Sequence, residues 1–513
     1  MDLKHPLHIF QEPYSFTNLA LLAFLSILLY FLFDYLFFSK NSNHPPSPPK
    51  LPIIGNLHQL GYLPHQSLRS LSLKHGPLML LKIGRIPTLV VSSPEMAEQV
   101  MKTQDHIFAN RPTIKMMDKM CYGQKNITFA PYGEYWRQTK KAITLHILSN
   151  KKVQSLQPIR YDEVMLLLRK ISASSSSVNL SEMVTDMTKN IVSRAILGKY
   201  LDNDKRRNDE FHYALNKGME LIGEFRVEDF FPSLAWLRKF TRSNDHVNEI
   251  FRIIDDLSSA VIDDHVARDK AEKPDFVDVL LSLQDDPNAD IAFTRDEIKA
   301  LFNDLIAAGT DTSYITIEWA MAELVHKPEA MKKVQEEVRG IAGNKSMVEQ
   351  YDTNAMYYLK AVVKEVLRLH PPAPLLLPRE LMEDTKILGY NIPKKCRVIV
   401  NAWAIGRHPD YWKTPEEFQP ERFLNSSMDY KGHDFQFIPF GAGRRICPGM
   451  AFAVATIELV LANLLNRFEW KLPGELRGED LNMDEAPGLT IRRKESLVLV
   501  SEPRFSDDNT STT

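Results

Sequence analysis

The run Pro439-Phe440-Gly441-Ala442-Gly443-Arg444-Arg445-Ile446-Cys447-Pro448-Gly449 sets one cysteine in a loop of glycines and arginines, ahead of an apolar helical stretch from Met450 to Leu465. A single thiolate can hold one axial position of a haem iron and donates strongly enough to favour O–O cleavage. Glycines such as Gly449 let backbone approach a flat cofactor where a side chain would clash. Arg445 can reach a haem propionate as a charge-assisted donor, and Phe440 can shield the sulfur from water and so tune the metal. A buried structural cysteine at a helix start is the plainer alternative, since free Cys is among the most buried residue types. Against it stands the complete spacing Phe-x-x-Gly-x-Arg-x-Cys-x-Gly from Phe440 to Gly449.

A second pattern lies upstream, in Ala307-Ala308-Gly309-Thr310-Asp311-Thr312-Ser313. Thr294 and Glu297 have capping-box spacing, which starts a helix that runs to about His326, before Pro328. Gly309 weakens that helix by about 1 kcal/mol against Ala. Thr312 can bond back to the carbonyl of Ala308 and open the ladder locally. Ala308 and Thr312 are four apart and share a face. A hydroxyl (Thr312) beside an acid (Asp311) suits delivery of protons to dioxygen; routine Ser/Thr content of a helix is the alternative.

Glu365 and Arg368 stand three apart on a helical face, and Arg422 follows in Phe418-Gln419-Pro420-Glu421-Arg422-Phe423. Between them the prolines of His370-Pro371-Pro372-Ala373-Pro374-Leu375-Leu376-Leu377-Pro378-Arg379 stop a helix and force an extended path. In this order, before the cysteine loop, the motifs resemble those of cytochromes P450. The resemblance implies a buried structural triad of Glu365, Arg368 and Arg422. It implies a pocket wall at Ala373 and Leu377, and Arg379 on a propionate. Tyr132 to Lys141 resembles the family's Trp-x-x-x-Arg helix, with Trp136 in place but Lys140 at the arginine position. Lysine keeps the charge and loses the bidentate fork. Arg137 and Lys141 are expected on an outer basic face that would steer an acidic reductase, with ordinary solvated charges as the alternative.

These motifs need a large frame. The chain has 513 residues, and no linker divides 53–503. Basic residues number 63 against 65 acidic, and no dense Lys/Arg block occurs, so nucleic acid is not an expected partner. Cys121, Cys396 and Cys447 are odd in number and widely spaced, which argues against a disulfide framework and for a reducing compartment. Leu19 to Phe38 is an apolar run of 20 residues broken by Ser26, Tyr30, Asp34 and Tyr35. That length crosses a bilayer core, and the run lacks the cleavage site of a signal peptide. We therefore expect a lumenal stretch at 1–18, a transmembrane anchor at 19–39 and a proline-rich hinge at 40–52. A catalytic domain at 53–503 and a disordered tail at 504–513 follow. The charge bias of Lys40 and Lys50 puts the body in the cytosol. Leu78 to Val91 reads as a hairpin about Gly84-Arg85, and Ser93-Pro94-Glu95 as a helix start.

The resemblance extends over essentially the whole chain, and Phe108-Ala109-Asn110-Arg111-Pro112 adds a mark of the plant A-type microsomal group. It implies a mainly helical P450 fold with a small β region, and haem b as cofactor. It implies insertion of an oxygen atom from O2 into a lipophilic small molecule, with electrons from NADPH through a cytochrome P450 reductase, at the endoplasmic reticulum membrane. Pocket segments are expected at 111–129, 221–236, 304–308, 373–377 and 487–490. They are largely apolar, Leu489 included, with Asp304 as a polar anchor, which suggests a terpenoid, an alkaloid or a phenolic of specialised metabolism, a terpenoid or alkaloid first. Two alternatives stay open: a haem-thiolate enzyme that does not insert oxygen, such as a dehydratase or ring-coupling oxidase, and a haem sensor or scaffold without turnover.

Overall fold

A computed structural model describes residues 43–505 apart from 175, 235–242, 269–273, 287–290 and much of 199–225, together with helical residues within 18–29. Strands Leu78–Ile83 and Ile86–Val91 form the expected hairpin, with Ile83 opposite Ile86. Gly84 takes φ +60° in the two-residue turn, a value that glycine reaches without strain. The second strand pairs in parallel with Arg397–Val400, which in turn takes Arg379–Glu380 antiparallel on its other edge. Ser93 caps the helix that follows by accepting from the Met96 amide, with Pro94 at its first position.

The remainder is mainly helical, with a three-stranded and a two-stranded sheet at the periphery. The longest helix, Arg295–His326, has 32 residues. It begins as the capping box requires: Glu297 N–H donates to the Thr294 hydroxyl, and Thr294 N–H to the Glu297 carboxylate. It packs against Leu180–Leu197, Met450–Arg467 and Tyr357–Leu369. Its second half is buried on every side, and Trp319 stacks flat on His370 with ring centroids 3.9 Å apart.

The expected opening at Gly309 does not interrupt this helix, which stays α-helical through 307–313. Thr310, Thr312, Ser313 and Thr316 each donate a hydroxyl to the carbonyl four residues back, using the second lone pair of that oxygen. Gly309 serves close approach instead: a Cβ there would lie 3.3 Å from both methyls of Val192 on the neighbouring helix.

Among the described residues, one helix is long and apolar enough to cross a membrane, Met450–Arg467, and 78% of it is buried inside the protein. It is a core helix. The anchor expected at 19–39 lies mostly outside the described residues. Its described part, within 20–29, is helical, with Leu21, Phe24 and Leu28 exposed. The tail from 506 onward also lies outside them.

Candidate active site

The chain bends tightly through the cysteine loop. Gly441 and Gly443 take φ +70° and +68°, and the Cys447 amide donates to the Phe440 carbonyl at 3.0 Å, closing the loop on itself. A Cβ at Gly443 would stand 2.1 Å from the Met101 carbonyl oxygen, so no other residue fits there without moving backbone. Met450–Arg467 starts directly after Gly449 and carries the loop on its N-terminus.

Cys447 is half-buried because its sulfur opens onto a cavity of about 350 Å³. Burial pushes its thiol above the ordinary range, opposed by the Gly449 amide, the Lys140 charge and the Met450 amide. Phe440 and Gly449 line the same cavity. So do Ala308, Asp311 and Thr312 from the long helix, Ala373 and Leu377 from the proline-rich segment, and Leu489. The 221–236 segment departs from expectation. None of its described residues lines the cavity; the turn Val227–Phe230 lies on the hairpin, where Phe230 O accepts from the Arg85 amide. Gly218 and Ile254 line the cavity instead.

One edge of the cavity is cationic. Arg445, Arg379, Lys140 and Arg111 all reach it, with Trp136 among them. Arg445 lies over the Trp136 ring at 4.1 Å and donates to the carbonyls of Ala109, Ile127 and Ala130. Burial, then the Arg379 charge, brings its guanidinium down to about 9. Burial and the Arg445 charge also lower Lys140. The Trp136 indole N–H donates to Ile127 O at 3.0 Å, because the segment 126–130 folds over the cluster and offers its carbonyls. Arg379 donates to Asp105 and to Ala442 O. Lys140 reaches Arg444 O and stands over the Trp136 ring. Arg137 and Lys141 are exposed, as expected of an outer face.

Two acids line the cavity on the long helix. Asp304 is bonded within the protein: it accepts from the Thr128 amide at 3.0 Å and hydroxyl at 2.9 Å. Burial raises its carboxyl to about 6 despite those bonds. Burial likewise raises Asp311 to about 6, with Lys189 and Arg492 opposing. A carboxyl poised there can both give and take a proton near neutrality. Thr312 donates to Ala308 O at 2.9 Å, which leaves its oxygen free to accept.

The Glu365 set lies outside the cavity. Arg368 donates Nε and Nη2 to the two carboxylate oxygens of Glu365 at 2.7 Å each, and Arg422 adds Nε at 2.9 Å. Arg368 also donates to the carbonyls of Gly406 and Pro415. The three side chains tie Tyr357–Leu369 to the turn Pro420–Phe423.

Arg111, which opens the expected 111–129 pocket segment but carried no role there, is buried on the cavity wall and donates to the carbonyls of Thr128, Leu377 and Pro378. One residue escaped the sequence altogether. Asp105 is buried against Arg379 and Arg444 and belongs to no motif that would expose it.

The donor chemistry fits a haem. One thiol with backbone N–H groups at its sulfur stands on one wall, and glycines remove side chains beside it. Cations and an indole with no carboxylate of their own beyond Asp105 and Asp304 cluster at one edge, where a macrocycle bearing two carboxylates would supply the anions.

The comparisons agree. The cytochrome P450 family model matches residues 45–500. Cytochrome P450 71A9 of Glycine max is 50% identical over 464 residues, 90% of this chain and 93% of that one. Norfluorocurarine oxidase of a Strychnos species is 44% identical over 503 residues, 94% of this chain and 98% of that one. The solved structure of a zebrafish cytochrome P450 with abiraterone superposes with a TM-score of 0.74 at 27% identity, covering 87% of this chain and all of the other. A match that runs from residue 45 to residue 500, with plant relatives near half identity, leaves one assignment: this chain belongs to the cytochrome P450 family, as a haem-thiolate monooxygenase of the plant A-type group.

Proposed function

We propose that the protein hydroxylates, or otherwise oxidises, an apolar small molecule of plant specialised metabolism, a terpenoid or alkaloid. It uses O2 and electrons that NADPH supplies through a cytochrome P450 reductase. The observation that carries this reading is the cavity lined both by Cys447 and by Ala308, Asp311 and Thr312, with mostly apolar walls. A bound haem would supply the oxygen-activating chemistry. Cys447 would hold its iron, with Phe440 beside the sulfur and Gly449 leaving room. Arg445, Arg379, Lys140 and Trp136 would hold its carboxylates. Asp311 exchanges protons with the outside, and Thr312 holds a proton donor against the reacting oxygen. Glu365, Arg368 and Arg422 brace the fold.

Asp304 and Arg111 are each spent on the 126–129 segment or its neighbours. Both groups thus have their hydrogen-bonding capacity engaged within the protein, which favours a neutral, lipophilic ligand. The apolar run at 19–38 is the proposed single-pass anchor, holding a cytosolic catalytic domain on the endoplasmic reticulum membrane where such ligands partition. The relative named as an oxidase of norfluorocurarine is in keeping with oxidation of a plant small molecule.

The test is reconstitution of the full chain in membranes with reductase and NADPH, against terpenoid and alkaloid panels under ¹⁸O2. A product carrying one labelled oxygen is expected; a product formed without label would assign the non-oxygenating alternative.

A further inference from the structure

Asp105 is 4% exposed and lies on a one-turn helix, Asp105–Phe108, outside every motif of the sequence. Its carboxylate joins three separate segments. Oδ1 accepts from Arg379 Nη1 at 3.1 Å; Oδ2 accepts from the Arg444 backbone amide at 2.7 Å and from Arg444 Nη1 at 3.3 Å. The fit is close enough to need a glycine, since a Cβ on Gly443 would lie 2.8 Å from Oδ2. Asp105 also acts through space on Lys140 and Arg445, where its charge favours the protonated forms. Asp304 stands near Arg111 instead. Asp105 is thus the fixed anion at an edge where four cations converge.

We propose that Asp105 is a positioning and charge-setting residue for the bound haem: it pins Arg379 and the Arg444 amide on the cysteine loop, and its negative charge lowers the cofactor's reduction potential. The inference rests on the haem-thiolate reading above. Cations in excess beside a haem stabilise its reduced form, which carries one more electron; a fixed anion offsets them, and burial in low dielectric keeps that term large.

The test uses full-length protein purified with haem, as wild type and as Asp105→Asn, Asp105→Glu and Arg444→Gln. The thiolate spectrum of each reports the haem-thiolate reading; a dye-mediated redox titration without reductase reports the proposal. Asp105→Asn, isosteric but neutral, is expected to raise the ferrous-to-ferric ratio at fixed potential about threefold or more, with Asp105→Glu restoring the wild-type ratio. An unchanged or lower ratio in an Asp105→Asn protein with an intact thiolate spectrum overturns the proposal. If that variant does not retain haem, Arg444→Gln decides, because its guanidinium is half-exposed and its removal leaves no buried group cut off from water. A fall in its ratio supports the charge balance and no change overturns it. Absence of a thiolate spectrum from the wild type would instead overturn the parent reading.

Discussion

Glu365→Gln offers the sharpest test of how the structural triad is held. The carboxylate is fully buried, and its two oxygens accept four bonds: Arg368 Nη2, Arg422 Nε and the Gln419 amide on Oε1, and Arg368 Nε on Oε2. Glutamine keeps the shape. Its oxygen can stay with the three donors at Oε1, but its NH2 then opposes Arg368 Nε–H. One bond is lost, and two guanidinium groups lose the charge that offset them. Breaking a buried pair by removing one partner costs about 3–5 kcal/mol. At ~2.1 cal/mol/K per residue, a chain of 513 residues unfolds with an entropy of about 1.1 kcal/mol/K, so the expected loss is about 3–5 °C in Tm. Scanning calorimetry of wild type and variant reads this directly. Arg422→Gln should cost less, because its guanidinium is nearer the surface and most of its other bonds go to exposed carbonyls. A Glu365→Gln Tm within about 1 °C of wild type would refute the argument that the triad is a charge-compensated brace.

Cys447→Ser is expected to abolish the thiolate band of the reduced CO complex; an unchanged band would remove Cys447 as ligand. Thr312→Ala should divert reducing equivalents to peroxide, measured as peroxide formed per NADPH consumed, and coupling equal to wild type would take Thr312 out of the relay. For Asp311, whose carboxyl is raised from 3.8 to about 6, the folded state favours the neutral acid. Its own contribution to stability is therefore greatest below pH 4, falls as pH rises to about 6, and is level above it. Asp311→Asn should lose this slope and be about 1–3 kcal/mol more stable at pH 7.5, while product formation slows; parallel Tm–pH curves for the two proteins would contradict it. Gly443→Ala places a methyl 2.1 Å from Met101 O at φ +68° and is expected to give protein that does not take up haem, judged by the haem-to-protein absorbance ratio.

What the sequence made legible was local. Ser93-Pro94, the Thr294–Glu297 capping box and the Gly84 turn are each decided by residues a few positions apart, and each forms as its chemistry requires. The cysteine loop and the Glu365–Arg368 spacing are short-range too. The parallel pairing of Ile86–Val91 with Arg397–Val400 is not, because nothing in either strand names its partner. The polar edge of the cavity was half legible for the same reason. Arg445 and Trp136 stand in spaced motifs, whereas Asp105 acquires its meaning only when Arg379 and Arg444 fold onto it. Gly309 shows a local rule giving way to packing: a weak point by helix propensity is, in the folded chain, a place where a side chain would crowd Val192.

That parallel pairing also sets a timetable. The hairpin leaves the ribosome with Ile86–Val91 as an open edge, and the strand that covers it follows about 300 residues later. At ~5–20 residues per second, an apolar edge waits about 15–60 s for its partner. Exposed strand edges of this kind are templates for misassociation. The cysteine loop is made later still, so haem capture can come only after the sheet is able to close. Nascent chains of this protein therefore pass through a long interval in which an early strand pair is the element most in need of a holding chaperone, and slowing synthesis between residues 91 and 397 should lower the yield of haem-loaded protein more than slowing it after residue 467.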